Sequence, residues 1–209
     1  MCNGIAMSTN DRPACVLLAG GRATRMGGGD KALRQLAGRT LLDHVIDRMR
    51  PQVSAMALNA NGDPARFAAY GLEVIADPLE GQPGPLAGVL AGLRWAAARG
   101  RNHVISVPID TPFLPENLVA RLTAAGNFTC AASGAWVHPV IGLWPVALAD
   151  ALEADLLAGE RRIGPWAKAR GVVPVHFTDD AAFRNLNHPQ ELDAAERDLA
   201  GQQGKRAHS

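Results

Sequence analysis

The sequence predicts an α/β protein in which helices cover both faces of a mainly parallel sheet, a three-layer αβα arrangement. Apolar runs of strand length alternate along the chain with longer segments whose apolar residues recur at helical spacing. The first apolar run also leads directly into a glycine-rich segment. Alternating strands and helices are typical of parallel sheets buried on both faces. In such sheets ligands bind outside the carboxyl ends of the strands, so that edge is where we expect the functional residues.

The first half of the chain contains four predicted strands, each followed by a helix. Proline at a first helical position, as at Pro85, and glycine just past a helix end, as at Gly100, support the boundaries. The predicted strands are 14–18, 53–58, 72–76 and 103–107, and the predicted helices are 40–49, 64–70, 85–98 and 115–125.

The second half is less regular but continues the pattern. It shows no internal repeat and no linker, which predicts a single domain over residues 13–200. A poorly ordered extension is expected at 1–12 and a flexible tail at 201–209. The remaining predicted elements are a strand at 138–145, a helix at 146–157, a strand at 171–177 and a closing helix at 189–199.

Composition restricts the class of protein. A chain of 209 residues that is 47% hydrophobic and 20% charged can bury one sizeable core. A net charge of +1 gives no reason to expect a nucleic acid or an anionic membrane as partner. The three cysteines lie far apart, which indicates reduced thiols and a cytoplasmic protein. No apolar run resembles a signal peptide or approaches the roughly 20 residues of a membrane span.

The glycine-rich segment "LLAGGRATRMGGGDKAL" (17–33) fits neither of two common phosphate-binding motifs. Its lysine is not followed by Ser or Thr, as a Walker A loop requires, and its glycines do not take G-x-G-x-x-G spacing. Glycines nevertheless let successive backbone N–H groups turn onto an anion, and Arg22, Arg25 and Lys31 supply cations. The residues alone leave open a phosphate cradle or a solvated surface loop, and the position after the first strand favours the cradle.

Polar side chains follow several of the predicted strands. Asp110 comes just after one strand, between Pro108 and Pro112, while Asn59 and Asp77 follow two others. A rigid carboxylate at this edge suits Mg²⁺, which keeps several waters and is bound by one or two carboxylates plus substrate phosphates. Asp and Asn are also routine cap and turn residues, so the residues alone leave both roles open.

Three glycines, Gly84, Gly88 and Gly92, recur at four-residue spacing around the predicted helix 85–98. Small residues in such a row allow a flat ligand, or another backbone, to approach that face. Packing of the helix on the sheet is the expected explanation for Gly92.

The order of these motifs resembles that of the nucleotidyltransferases. Together with "VIADPLEGQPGPLAGVLAGL", "VPIDTPFLP" and "FRNLNHPQEL", the segment "LAGGRATRMGGGDKAL" looks most like the molybdenum cofactor guanylyltransferases, over nearly the whole chain after residue 13. The resemblance implies a Rossmann-like sheet of the nucleotidyltransferase type. It also implies the reaction: Mg²⁺-dependent transfer of GMP from GTP to the terminal phosphate of Mo-molybdopterin, which forms the guanine dinucleotide and releases pyrophosphate.

The resemblance further implies roles for individual residues. The positions that match GTP contacts are Leu18, Ala19, Gly20, Gly21, Lys31, Asn59, Asp77, Gly84, Gly88 and Asp110. Asp110 would also hold Mg²⁺, and Arg25, Lys31 and Asp110 would carry catalysis by neutralising charge. No general base is required, since a phosphate monoester, with a second pKa of about 6, is already a nucleophile at neutral pH.

The acceptor side is implied by weaker matches. These are His138, Arg161, Arg162, Asn185 and Asn187, although the two arginines equally suit a solvated loop. The segment "ASGAWVHP" departs from the family, which often carries more polar residues before the His-Pro pair.

The implied partners are GTP and molybdopterin or its molybdenum-loaded form. The resemblance also implies molybdenum-insertion proteins, and apo-molybdoenzymes or their chaperones, as partners. Three alternatives stay open. A CTP-dependent cytidylyltransferase usually has alanine where Gly20 stands, and a sugar-phosphate nucleotidyltransferase is disfavoured by the short chain and by "PGPLAG". A non-catalytic nucleotide-binding module would not need Lys31 or Asp110.

Overall fold

A seven-stranded sheet lies at the centre of the protein. The computed structural model describes residues 12–20, 30–79 and 84–206. The strands are β1 (Ala14–Leu18), β2 (Gln35–Leu36), β3 (Arg39–Thr40), β4 (Met56–Asn59), β5 (Glu73–Ile75), β6 (His103–Pro108), β7 (Thr129–Ser133), β8 (Trp136–Pro145) and β9 (Val173–Phe177). The helices are α1 (Leu41–Met49), α2 (Pro85–Ala97), α3 (Leu118–Ala125), α4 (Ala149–Leu157), α5 (Ile163–Ala169) and α6 (Pro189–Arg206).

The strand order is β5-β4-β1-β6-β8-β7-β9, while β2 and β3 form a separate hairpin. Only β8 runs against its neighbours: it is antiparallel to both β6 and β7, and the other neighbouring pairs of the large sheet are parallel. This confirms the mainly parallel α/β sheet.

Beside a smaller cluster that joins β2, α1 and α6, the core has two main layers, one on each face of this sheet. Alternate side chains of β1 divide between them, as expected for a strand. Cys15 and Leu17 pack in the cluster that contains the apolar residues of α1 and α3, whereas Val16 and Leu18 pack in the cluster that contains those of α2, α4 and α5. Because β1 is buried on both faces, its sequence is apolar throughout.

Helix α1 shows how local sequence sets an element boundary. The Thr40 hydroxyl accepts a hydrogen bond from the backbone N–H of Asp43, and the Asp43 carboxylate accepts one from the N–H of Thr40. This reciprocal pair satisfies two N–H groups that the first helical turn leaves unpaired. The apolar positions Leu42, Val45, Ile46 and Met49 then face the core.

Most predicted elements are present, several with shifted boundaries. The strand predicted at 53–58 starts only at Met56, because a 3₁₀ turn that contains Pro51 precedes it. Residues 64–70 form a 3₁₀ rather than an α-helix, and the helix predicted from 115 starts at Leu118. The β2–β3 hairpin, β7 and α5 were not predicted.

The predicted extension at 1–12 lies outside the described residues except for Arg12. At the other end, α6 continues to Arg206, beyond the predicted helix end at 199. The predicted domain limits stay predictions. None of the described helices has the length and apolar character needed to cross a membrane.

Candidate active site

The carboxyl ends of β4, β1 and β6 lie side by side at one edge of the sheet. Leu18, the last residue of β1, pairs with Asn59 of β4 on one side and with Pro108 of β6 on the other. Backbone hydrogen bonds continue past the strand ends, from the N–H of Ala19 to the Asn59 carbonyl at 2.9 Å and from the N–H of Ile109 to the Leu18 carbonyl at 3.3 Å. The predicted site residues of these three strands therefore form one surface.

An ion pair between Lys31 and Asp110 lies at the centre of this edge. Lys31 Nζ is 2.5 Å from Asp110 Oδ2, and each side chain is 16% exposed. The same ammonium donates to Asn187 Oδ1. Lys31 begins a short 3₁₀ turn that Asp30 caps, since Asp30 Oδ1 accepts from the N–H of Ala32 at 3.1 Å. The lysine is thus fixed both through its backbone and at its charged end.

The second carboxylate oxygen of Asp110 is available for a cation. Asp110 Oδ1 is buried and has no hydrogen-bond partner among the described residues, although a buried carboxylate oxygen normally has one. No group of three or more His, Cys, Asp or Glu side chains in the described ranges is suited to hold a metal. A single carboxylate oxygen of this kind fits Mg²⁺, which keeps several waters and takes other ligands from substrate phosphates.

Asp77 is held in place by two asparagines. Asn59 Nδ2 donates to Asp77 Oδ1 at 2.9 Å and to the carbonyl of Ile75 at 3.2 Å. Asn61 Nδ2 donates to Asp77 Oδ2 at 2.7 Å, while Asn61 Oδ1 accepts from the Asp77 N–H at 2.9 Å. Asn59 is buried, and the same two hydrogen bonds give its side-chain NH₂ group the acceptors that a buried donor needs. Asn61 was not predicted as a site residue, and its pairing with Gly62 is a sequence that commonly forms turns.

Helix α2 approaches this edge closely through its glycines. A Cβ atom on Gly88 would lie 2.3 Å from Asn59 Oδ1 and 2.7 Å from Leu18 Cδ2. One turn later, a Cβ on Gly92 would lie 2.5 Å from Val16 Cγ1, which confirms helix-to-sheet packing at that position. Gly88 is therefore the point at which α2 touches the site.

Two further glycines border the same edge. Gly84 precedes α2 with a φ of +150°, a conformation that L side chains rarely adopt, and a Cβ there would meet no atom within 4 Å. At Gly20 a Cβ would lie 3.8 Å from Asn59 Oδ1, in ordinary contact. Among the described residues, no atom crowds the position of a side chain at either glycine. Gly21 and Arg25, which the sequence also implicated, lie outside the described residues.

The segment before α6 joins the Lys31–Asp110 pair. The N–H of Leu186 donates to the Asp110 carbonyl at 2.9 Å. Glu191 Oε2 accepts from the N–H of Asn187 at 2.5 Å and from that of His188 at 2.8 Å. Desolvation alone would raise the pKa of Glu191, but these hydrogen bonds outweigh it and lower the pKa below its usual value. Asn187 was predicted on the acceptor side, but its side chain accepts a hydrogen bond from Lys31, which was predicted to bind GTP.

His138 lies on β8, on the side of Asp110 opposite to Asn59. Ser106 of β6 pairs with Gly142, so the first residues of antiparallel β8 extend beyond the carboxyl end of β6. The imidazole lies 3.0 Å from Ser133 Oγ through Nε2 and stacks on Phe183, with ring centroids 5.0 Å apart. Desolvation lowers the pKa of His138 below its usual value, and nearby Asp180 opposes this shift.

The contacts of the two predicted acceptor arginines are local. Arg161 Nη1 donates to the carbonyls of Leu156 at 2.8 Å and Glu160 at 2.5 Å, at the end of α4. The Arg162 side chain is 75% exposed and lies 3.4 Å from Glu160 Oε1. These contacts are those of a solvated loop between α4 and α5. Asn185 is exposed.

Comparisons with known proteins agree with this geometry. Residues 15–173 match the family model described as the MobA-like NTP transferase domain. Among solved structures, molybdopterin-guanine dinucleotide biosynthesis protein A from Archaeoglobus fulgidus superposes with a TM-score of 0.73 at 24% identity, covering 90% of this chain and 99% of that one. A 4-diphosphocytidyl-2C-methyl-D-erythritol synthase superposes with a TM-score of 0.66 at 16% identity, over 93% and 100% of the two chains. These likenesses confirm the nucleotidyltransferase fold.

Curated relatives are much more similar in sequence. A molybdenum cofactor guanylyltransferase of Cereibacter sphaeroides is 52% identical over 87% of this chain and 94% of its own. One of Rhodopseudomonas palustris is 50% identical over 91% of this chain and 97% of its own. The chain therefore belongs to the MobA-like NTP transferase family, and within it to the molybdenum cofactor guanylyltransferases.

Proposed function

We propose that the protein transfers GMP from GTP to the terminal phosphate of Mo-molybdopterin, with Mg²⁺ bound at Asp110. The observation that carries the proposal is the Lys31–Asp110 pair at the carboxyl edge of the sheet, with Asp110 Oδ1 left free for a cation. The names of the relatives at about 50% identity support the choice of donor and acceptor.

In the proposed reaction an oxygen of the acceptor phosphate forms a bond to the α-phosphorus of GTP. The bond from that phosphorus to the bridging oxygen breaks, and pyrophosphate takes the electron pair. The Lys31 ammonium neutralises charge on the triphosphate, and bound Mg²⁺ would supply further charge neutralisation. Catalysis by positioning and charge neutralisation agrees with the side chains found at this edge.

Asp77 is proposed to recognise the nucleoside. Its carboxylate, oriented by Asn59 and Asn61, is an acceptor for the N1–H and exocyclic amine of guanine or for ribose hydroxyls. Inosine triphosphate, which lacks the exocyclic amine, and 2′-deoxy-GTP, which lacks a hydroxyl, separate these two contacts. Asp77→Asn should reduce the ratio of kcat/KM for GTP to kcat/KM for the analogue that lacks the contacted group. If this ratio is unchanged for both analogues, Asp77 does not have the proposed role.

The direct test incubates the protein with Mo-molybdopterin, GTP and Mg²⁺ and measures the guanine dinucleotide and pyrophosphate. Equal amounts of the two products are expected. Asp110→Ala should abolish Mg²⁺-dependent turnover, whereas Asp47→Ala, which removes a surface partner of Arg39, should leave turnover unchanged. In a competition of GTP with CTP, preference for CTP would instead indicate a cytidylyltransferase.

The proposed setting is the cytoplasm, where Cys15 and Cys130, both free and buried, stay reduced. There the product would pass to apo-molybdoenzymes or their chaperones, and molybdenum-insertion proteins would supply the loaded acceptor. Co-purification of the protein with any of these from a molybdate-supplemented culture tests that placement.

A further inference from the structure

An exposed tryptophan stands at the start of β8. Trp136 is 74% exposed, whereas the other three tryptophans, Trp95, Trp144 and Trp166, are at most 7% exposed. An indole offers a large flat apolar surface that is usually buried in a core or against a partner. The exposed face of Trp136 is therefore a surface on which a flat ring could stack.

The register of the sheet places Trp136 close to the reacting groups. Ser106 Oγ donates to the carbonyl of Val140 at 2.6 Å, so β8 still runs beside β6 at that point. Cys130 of β7 pairs with the same Gly142, and after an irregularity in β8 the pairing resumes with Ala131 opposite His138 and Ser133 opposite Trp136. Counted along β7, Trp136 therefore lies three residues beyond the level of Ser106, close to that of Ile109. Asp110 is the next residue after Ile109, and neighbouring strands are about 4.8 Å apart.

Residues of β8 and of the segment before α6 lie between the indole and the charged centre. Residues two apart on a strand share a side, so Trp136 and His138 do. The His138 ring stacks on Phe183, and three residues later Leu186 binds the Asp110 carbonyl. The surface is aromatic at its Trp136 end and charged at its Lys31 end. A flat heteroaromatic ring that carries a phosphate matches both ends.

We infer that Trp136 stacks on the pterin ring of the acceptor and is a specificity-determining residue of its site. The inference rests on the proposed function, because that function places a phosphorylated pterin at this edge. Stacking of a heteroaromatic ring on an aromatic side chain accounts for about a tenfold or larger change in affinity. This role also accounts for an apolar residue in "ASGAWVHP", where a polar surface strand would otherwise be expected.

Steady-state kinetics of Trp136→Ala and Trp136→Phe test the inference. The alanine variant should raise KM for Mo-molybdopterin about tenfold or more and leave KM for GTP unchanged, whereas phenylalanine should keep most of the affinity. Val173→Ala is the matched control. Val173 is also an exposed apolar strand residue, but it pairs with Thr129, at the far end of β7 from the Ser133–Trp136 pair. It should behave as the parent protein.

Fluorescence gives a readout that does not need turnover. Quenching by acrylamide should come almost wholly from Trp136, and Mo-molybdopterin added without GTP should protect it. Equal KM for the acceptor in Trp136→Ala and the parent, a fall in kcat alone, or quenching unaffected by Mo-molybdopterin would each overturn the inference. If the parent makes no guanine dinucleotide at all, the proposed function fails instead, so the two failures are distinct.

Discussion

Gly88 of α2 and Asn59 of β4 are packed so closely that no side-chain atom fits between them: a Cβ on Gly88 would lie 2.3 Å from Asn59 Oδ1. Asn59 in turn orients Asp77 by a 2.9 Å hydrogen bond. The approach of a helix to a strand thus fixes the carboxylate proposed to recognise the nucleoside.

Gly88→Ala should therefore weaken GTP binding as well as stability. The added methyl group must displace Asn59, and overpacking of this kind costs about 1–3 kcal/mol of unfolding free energy. We expect KM for GTP to rise about tenfold, with loss of one hydrogen bond to a charged group as the reason. Kinetics and thermal unfolding of the variant measure the two effects.

Gly92→Ala is the matched comparison, because its methyl group would meet Val16 rather than Asn59. It should lower Tm to a similar extent and leave KM for GTP unchanged. A similar rise in KM for both variants would show that general destabilisation, rather than Asn59, sets GTP affinity.

Substitutions of Lys31 and of Asn187 should lower kcat/KM by different amounts. Lys31→Ala removes the cation and should reduce kcat/KM about 100-fold or more, as loss of a group that stabilises transition-state charge does. Asn187→Ala leaves the lysine paired with Asp110 and should cost about tenfold, the effect of one charged hydrogen bond. Lys168→Ala, on the exposed surface of α5, is the control. An Asn187→Ala loss as large as that of Lys31→Ala would contradict the ranking.

Sequence periodicity predicted which residues lie at the carboxyl edge of the sheet, but it did not predict the contacts between distant residues there, nor β7 and α5. Asn59, Asp77 and Asp110 were found because each follows an apolar run, a local signal. The contact of Lys31 with Asn187 joins residues 156 positions apart, and no local pattern encodes such a pairing. Strand β7, TCAAS, is buried throughout and made of small residues, so it lacks the alternation and the bulky residues that indicate a strand. Helix α5 has Gly and Pro near its start, which masked it.

The hydrogen bonds at Glu191 predict a pH dependence of stability. The pKa of this carboxylate is lowered from its ordinary value of 4.5 in the folded protein. Its stabilising contribution is therefore fully present above pH 4.5 and is lost as the pH falls through the lower, folded value. Glu191→Gln should be less stable than the parent at pH 7, and the difference should shrink below pH 4.5.

Urea unfolding at a series of pH values measures that difference. Glu116→Gln, which makes the same chemical change at an exposed carboxylate elsewhere on the surface, is the control. If the difference in unfolding free energy between the parent and Glu191→Gln is the same at every pH, ionisation of Glu191 is not its cause.

The two buried cysteines should be unreactive in the folded protein. Burial raises the pKa of Cys130 to about 11 and raises that of Cys15 further, so neither forms the reactive thiolate at pH 8. In a Cys2→Ser background, a thiol reagent such as DTNB should react with neither until urea unfolds the chain, and then with both. Rapid reaction under native conditions would show local opening of β1 or β7.

The hydrogen bonds from Leu186 to Asp110 and from Lys31 to Asn187 can form only after the last part of the chain has been synthesised. Ribosomes make the chain from its amino end at about 5–20 residues per second, so Asn187 is added roughly 8–30 s after Lys31. In the later part of that interval the growing chain already contains Asp110, one partner of the lysine, yet it lacks Asn187, the other partner described above. The lysine therefore reaches its final set of contacts only after the segment that precedes α6 has been synthesised.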